Sequence, residues 1–187
     1  MVVETYVRGS SNEAVQRENK KVNRAMAGAA LAMGAGVELT DRPGYSAEFH
    51  DPDYMKLVQE CCEELVGKDK VKFNYESWST GSSDFGDVTS VMPGVQFNAS
   101  GATGMGHGID YYPTDLEKLL INSVKAQILV ADRLLKDDAA NAKRIIENYK
   151  PTYPSMQAYF DDINTLNLDK DAVKYDESGN ATLDFQN

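Results

Sequence analysis

Three segments of helical periodicity, each opened by a capping signal, constrain this chain most. Ser10 and Glu13 have capping-box spacing, and Val15, Val22, Met26, Ala29, Ala30 and Met33 then fall on one helical face, stopped by Gly34 and Gly36. Asp51 before Pro52 opens a second helix, with Tyr54, Leu57, Val58, Cys61 and Leu65 as its apolar stripe and Gly67 as its end. Thr114 and Glu117 open a third. There Leu116, Leu119, Leu120, Val124, Ile128, Ala131 and Leu134 predict the buried face. Between these helices, VVETYVRG, GVELTD, VKFNYES and VMPGVQFNA read as strands, rich in β-branched and aromatic residues. The pattern predicts an α/β fold. Residues 1–45 read as a β-α-β unit, which is thin and needs further strands beside it. Beyond Lys136, DDAANAKRIIENYK reads as helical until Pro151 and Pro154, SMQAYFDDINTLNL as a short helix, and KYDESGNATLDFQN as a polar hairpin or a frayed tail.

With 187 residues, of which 42% are hydrophobic, the chain can build one real core or two small ones. Its formal net charge of −10 argues against nucleic acid, which demands clustered Lys and Arg. No apolar run reaches the ~20 residues that span a bilayer, so no membrane partner is expected. MVVETYVRGSS has neither the basic start nor the apolar run of a secretory leader. The only cysteines, Cys61 and Cys62, are neighbours and cannot staple the fold. A cytoplasmic, reducing setting is the expectation.

The stretch from Thr80 to Gly108 mixes glycines, hydroxyls, Asp84, Asp87 and His107 between hydrophobic runs. Such loops carry sites in α/β proteins. His107 lies between glycines, where a permissive backbone can bring an imidazole close to a ligand; otherwise it is a structural loop residue. His50 reads as a polar helix-start residue, Asp84 and Asp87 as site residues or as caps of a short helix, and Glu63 and Glu64 as a solvated pair. Arg42, before Pro43, could grip a carboxylate with its planar fork or serve as a turn residue. Ser82 and Ser83 are not in a G-x-S-x-G elbow, and no Walker or dinucleotide motif occurs. The residues alone give an incomplete constellation.

Three stretches carry a resemblance: VETYVRGSSNEAVQRENKKVNRAMAGAALAMGAGVEL, TGSSDFGDVTSVMPGVQF and GMGHGIDYYPTDLEKLL. In order and spacing they resemble the C-terminal half of the M20 family of metallopeptidases and amidohydrolases, in the branch of aminobenzoyl-glutamate and indole-acetyl-amino-acid hydrolases. The resemblance covers roughly residues 2–136. It implies a partial lid or dimerisation domain over 1–45, the C-terminal part of a zinc-peptidase-like catalytic domain over 46–136, and an extension over 137–187. It also implies two zinc or manganese ions sharing a water that attacks an amide carbonyl, a small-molecule amide substrate, and a homodimer formed through the lid.

Position by position, His107 corresponds to the last metal ligand. Gly81, Ser83 and Asp84 correspond to the loop that shapes the site. Arg42 corresponds to an arginine that holds a substrate carboxylate. The family's H-x-D motif, bridging aspartate and Glu-Glu pair have no counterparts here. One histidine cannot hold a dinuclear site. The expectation is therefore a C-terminal portion of a hydrolase, inactive alone and without tightly bound metal. Two alternatives stand beside it. One is a non-catalytic binding or oligomerisation module, for which an unpaired Val2–Val7 edge would suit. The other is an unrelated enzyme using the Asp84/Asp87 loop.

Overall fold

The computed structural model describes residues 1–75 and 82–184. In chain order the elements are α1 (Asn12–Ala32), β1 (Val37–Asp41), α2 (Pro52–Val66), α3 (Phe85–Thr89), β2 (Ala102–Thr103), β3 (Tyr112–Pro113), α4 (Asn122–Asn148), α5 (Met156–Thr165), β4 (Leu168–Tyr175) and β5 (Ala181–Leu183). The fold is mixed: helices dominate, and two small sheets, both antiparallel, accompany them. Among the described residues no helix is long and apolar enough to cross a membrane.

The chain divides into two compact units. One takes the described residues of Met1–Glu48, Trp78–Val91 and Thr152–Asn187; the other takes those of Phe49–Ser77 and Met92–Pro151. The units therefore do not follow the three consecutive segments 1–45, 46–136 and 137–187. From residue 152 on, the C-terminal segment joins the N-terminal one, and residues 137–151 stay with the second unit.

In the first unit, Ser11 rather than Ser10 caps α1, its hydroxyl accepting from the Ala14 N–H. The sheet order is β1-β4-β5. Asp41 lies opposite Leu168 and Leu39 opposite Lys170, with an irregularity between Val37 and Glu38. Ala27, Leu39, Ala172 and Val173 form the core, and Met26 and Ala30 pack against it. Two asparagines on the same side of α1 hold the edge strand: Asn19 and Asn23 both donate to Asp41 Oδ2, at 2.8 and 2.6 Å. This corrects two expectations. Residues 1–9 form no strand, so the β-α-β unit is not built, and the partner of β1 is residues 168–173, which end just before the segment read as a hairpin or frayed tail. A strand exists only with a neighbour to satisfy its N–H and C=O groups, and β4 occupies that place.

In the second unit, α2 forms as its signals predict. The Asp51 carboxylate accepts from the Tyr54 N–H at 2.8 Å, Pro52 is the first helical residue, and Gly67 (φ 93°) ends the helix. Leu57, Val58 and Cys61 pack against Val130 and Ile145 of α4, with Phe73, Val95 and Phe97 at the margin. Ion pairs join the two helices along their length, Glu64 to Arg133 at 2.6 Å and Asp53 to Arg144 at 3.0 Å. Residues 71–77 and 91–99 are expected as strands; Glu76 and Ser77 lie outside the described residues, the others form no ladder, and Phe73, Val95 and Phe97 pack on this core instead.

The third predicted helix starts one residue later than its capping box suggests. The Asp115 carboxylate accepts from the Lys118 N–H, and a wide π-type stretch over Glu117–Ile121 leads into α4. The helical path breaks at Lys136, and Asp137, Asp138 and Ala139 all have positive φ. The predicted buried face of this helix is largely exposed. Leu116, Leu120, Val124 and Ile128 are each at least half exposed, and Ala126 and Val130 are buried instead.

Candidate functional site

The site-shaping loop closes on itself. Its first member, Gly81, lies outside the described residues. Ser83 Oγ donates to Glu48 Oε1 at 2.6 Å and accepts from the Phe85 N–H. Asp84 stands at the start of α3, and its carbonyl accepts from the Asp87 and Val88 N–H groups. Asp87 Oδ1 accepts from the Ser46 N–H at 2.9 Å. Gly86 is buried under this contact, and a Cβ there would collide with the Ser46 carbonyl. The segment is thus a turn and a short helix knit into the first unit, with the Asp84 carbonyl opening the helix and the Asp87 carboxylate held by the Ser46 N–H.

Around Asp87 lies a polar network that the sequence reading missed. Tyr153 donates to Asp162 Oδ2 at 2.6 Å and accepts from Asn12 Nδ2 at 3.2 Å. Asn12 Oδ1 in turn accepts from the Ala47 N–H. The Tyr153 and Tyr159 rings meet edge to face, their centroids 5.5 Å apart. Burial and then a hydrogen bond to Asp87 push Tyr159 up to about 12. Burial and then a hydrogen bond to Asp162 raise Tyr153. Both phenols stay protonated at neutral pH and act as donors. No sequence motif announces this network, because its members come from four separate stretches.

Arg42 does grip a carboxylate, but one from its own chain. Its Nη2 lies 2.8 Å from both oxygens of Asp169, and Nη1 donates to the Asp41 and Leu168 carbonyls. The guanidinium thereby ties β1 to β4 at the end of the sheet.

His107 belongs to the second unit. It sits at the tip of the β2–β3 hairpin, in a turn closed by the Gly108 N–H donating to the Met105 carbonyl at 2.7 Å. Its φ is 65°, a conformation that non-glycine residues seldom take. The side chain is exposed, as are Met105 and Ile109 beside it. Asp110 folds back inside the hairpin, its carboxylate accepting from the Met105 N–H. Among the described residues no three His, Cys, Asp or Glu side chains converge as a metal site would require.

No family model, curated protein or solved structure matches this chain.

The remaining candidates are structural. His50 is half-buried just before α2, Glu64 pairs with Arg133, and Glu63 accepts from Gln59 at 2.7 Å. Burial raises both cysteine thiols, which keeps them protonated and weakly nucleophilic. A shallow groove of about 370 Å³ in the second unit is lined by Tyr54, Val95, Phe97, Val130 and Leu134 among others. Among the described residues that line it Tyr54 is the only titratable group, and burial raises that phenol too. The sequence-predicted residues thus divide between the units: Arg42, Ser83 and Asp84 in the first, His107 in the second.

Proposed function

We propose that this chain carries the C-terminal part of a metal-dependent amidohydrolase or peptidase of the M20 type, with a lid-like unit and part of a zinc-peptidase-like α/β domain. Its substrate is the amide bond of an N-acyl amino acid or small peptide, and its setting is the cytoplasm. The observation that carries this reading is the order and spacing of the lid-like segment, the TGSSDFGDVTSVMPGVQF loop and the GMGHGIDYYPTDLEKLL segment. The exposed imidazole of His107, on a glycine-flanked turn, is consistent with one ligand of a zinc or manganese site. The donors present here do not make up that site. One imidazole is too few, and no cluster of three ligating groups occurs among the described residues. No hydrolytic step is therefore assigned to this chain alone. Further ligands and the general base have to come from additional polypeptide.

The test is to seek, in the reading frame upstream, a segment encoding H-x-D and Glu-Glu motifs, and to co-express it with this chain. Zinc- or manganese-dependent hydrolysis of aminobenzoyl-glutamate, lost in His107→Ala, is the expected result. Intergenic sequence in that place, or hydrolysis and stoichiometric zinc in the isolated chain, would sink the proposal. The exposed outer face of α4 favours a second reading, a non-catalytic oligomerisation module derived from the same fold.

A further inference from the structure

Helix α4 is apolar on two opposite sides. At about 100° per residue, Ala126 and Val130 mark the side packed on α2. Ile121, Val124, Ile128, Ala131 and Leu135 mark the other side. Their spacing alternates between three and four residues, the seam of a two-helix contact. That seam is uncovered: Ile121 is 49% exposed, Val124 54%, Ile128 64% and Leu135 71%. A helix apolar on both sides is built to lie between two layers, and among the described residues of this unit only the α2 layer packs on it.

The charges beside the seam identify the second layer. Lys125 and Asp132 lie seven residues apart on the same border of the stripe, and both are exposed. Neither takes part in an ion pair among the described residues. If two copies of the helix meet antiparallel, Ile128 faces the partner's Ala131 and Val124 faces the partner's Leu135. In the same register Lys125 comes opposite the partner's Asp132, and the two-fold axis repeats the pair. A parallel pairing would place Lys125 beside Leu120 and Asp132 beside Gln127, where no charge answers them. Small Ala131 opposite Ile128 lets the backbones approach. A two-fold interface requires a patch that complements itself, and this one does so in shape and in charge.

We propose that the outer face of α4 is a homodimer interface, formed by antiparallel pairing of Ile121–Leu135 with the same segment of a second copy. The inference is independent of the hydrolase reading and distinct from pairing through the lid-like segment. It rests on the oligomerisation reading, for which it names the partner and the face.

The experiment is sedimentation equilibrium of the full chain across the micromolar range. Ile128→Glu, at an exposed position, is expected to leave the circular dichroism unchanged and to give a monomer. Lys125→Asp is expected to weaken the dimer by roughly tenfold, since it sets two like-charge contacts across the axis. The double variant Lys125→Asp/Asp132→Lys restores both pairs with reversed sign and is expected to recover most of that loss. A wild-type monomer throughout would overturn both this inference and the oligomerisation reading, and would assign the face to a different polypeptide. A dimer that survives Ile128→Glu, or a double variant no tighter than the single one, would overturn the α4 interface alone.

Discussion

The 82–91 segment and the β2–β3 hairpin look alike in sequence, since both join glycines to polar residues between hydrophobic runs. In the structure they are opposites. The first turns its hydroxyl and carboxylate inward: Ser83 to Glu48, and Asp87 to Ser46 and Tyr159. The second spends its backbone bonds on closing a hairpin and leaves His107, Met105 and Ile109 outside. A polar loop whose groups are already paired holds the fold together. One whose side chains stand exposed on a strained turn has something to offer a ligand or a partner.

Glycine substitution breaks this contrast most sharply. Gly86→Ala drives a methyl group into the Ser46 carbonyl, so the backbone of one segment must move. A loss of about 3 kcal/mol in urea unfolding is expected. A loss below about 0.5 kcal/mol would mean that the segment is not packed as described.

Removing the Tyr159 hydroxyl tests the network behind the first loop. Tyr159→Phe deprives Asp87 of a donor and is expected to cost about 1–2 kcal/mol. The same variant carries a pH signature. Folding raises this phenol from 10.0 to about 12, so the folded state holds the proton more tightly. That contribution is complete below pH 10 and fades as the pH rises through about 12. Wild type should therefore lose stability more steeply than Tyr159→Phe across that alkaline window. Parallel slopes in denaturation titrations would remove Tyr159 from the network.

On the hairpin the sign reverses. His107→Gly relieves a left-handed residue at an exposed position and is expected to stabilise the chain by about 0.5–1 kcal/mol. If thermal unfolding shows a loss instead, the imidazole makes a contact that holds the turn. Smallest of all, Gly106→Ala meets no atom within 4 Å and should stay within about 0.5 kcal/mol of wild type. The pair Gly86→Ala and Gly106→Ala thus measures how differently two similar-looking loops are built.

Local chemistry was readable where it was self-contained. Asp51, Pro52 and Gly67 delimit α2 because caps act on backbone groups within one turn. The polar hairpin near the C-terminus could be named as a hairpin, since its turn residues are adjacent in sequence. The fate of Val2–Val7 could not be read. A β-rich segment becomes a strand only beside another strand, and β1 is paired with residues more than a hundred positions away. Nor could Arg42 be read, since the same guanidinium suits a substrate carboxylate or Asp169 equally well.

The site was legible as candidates and not as a constellation. His107 and the Asp84 loop were visible, but they fall in different units. The tyrosine–carboxylate network was invisible, because hydrogen bonds between distant stretches leave no periodic trace.

By itself the sequence determined where helices start and stop and which loops are rich in glycine. Both depend on neighbours within a turn or two. Tertiary structure alone decided which side of α4 meets α2, which strand completes the sheet at β1, and that Asp87 lies inside a network instead of lining a cleft. Burial and strand pairing depend on what the rest of the chain brings alongside, and that information is not local to any segment.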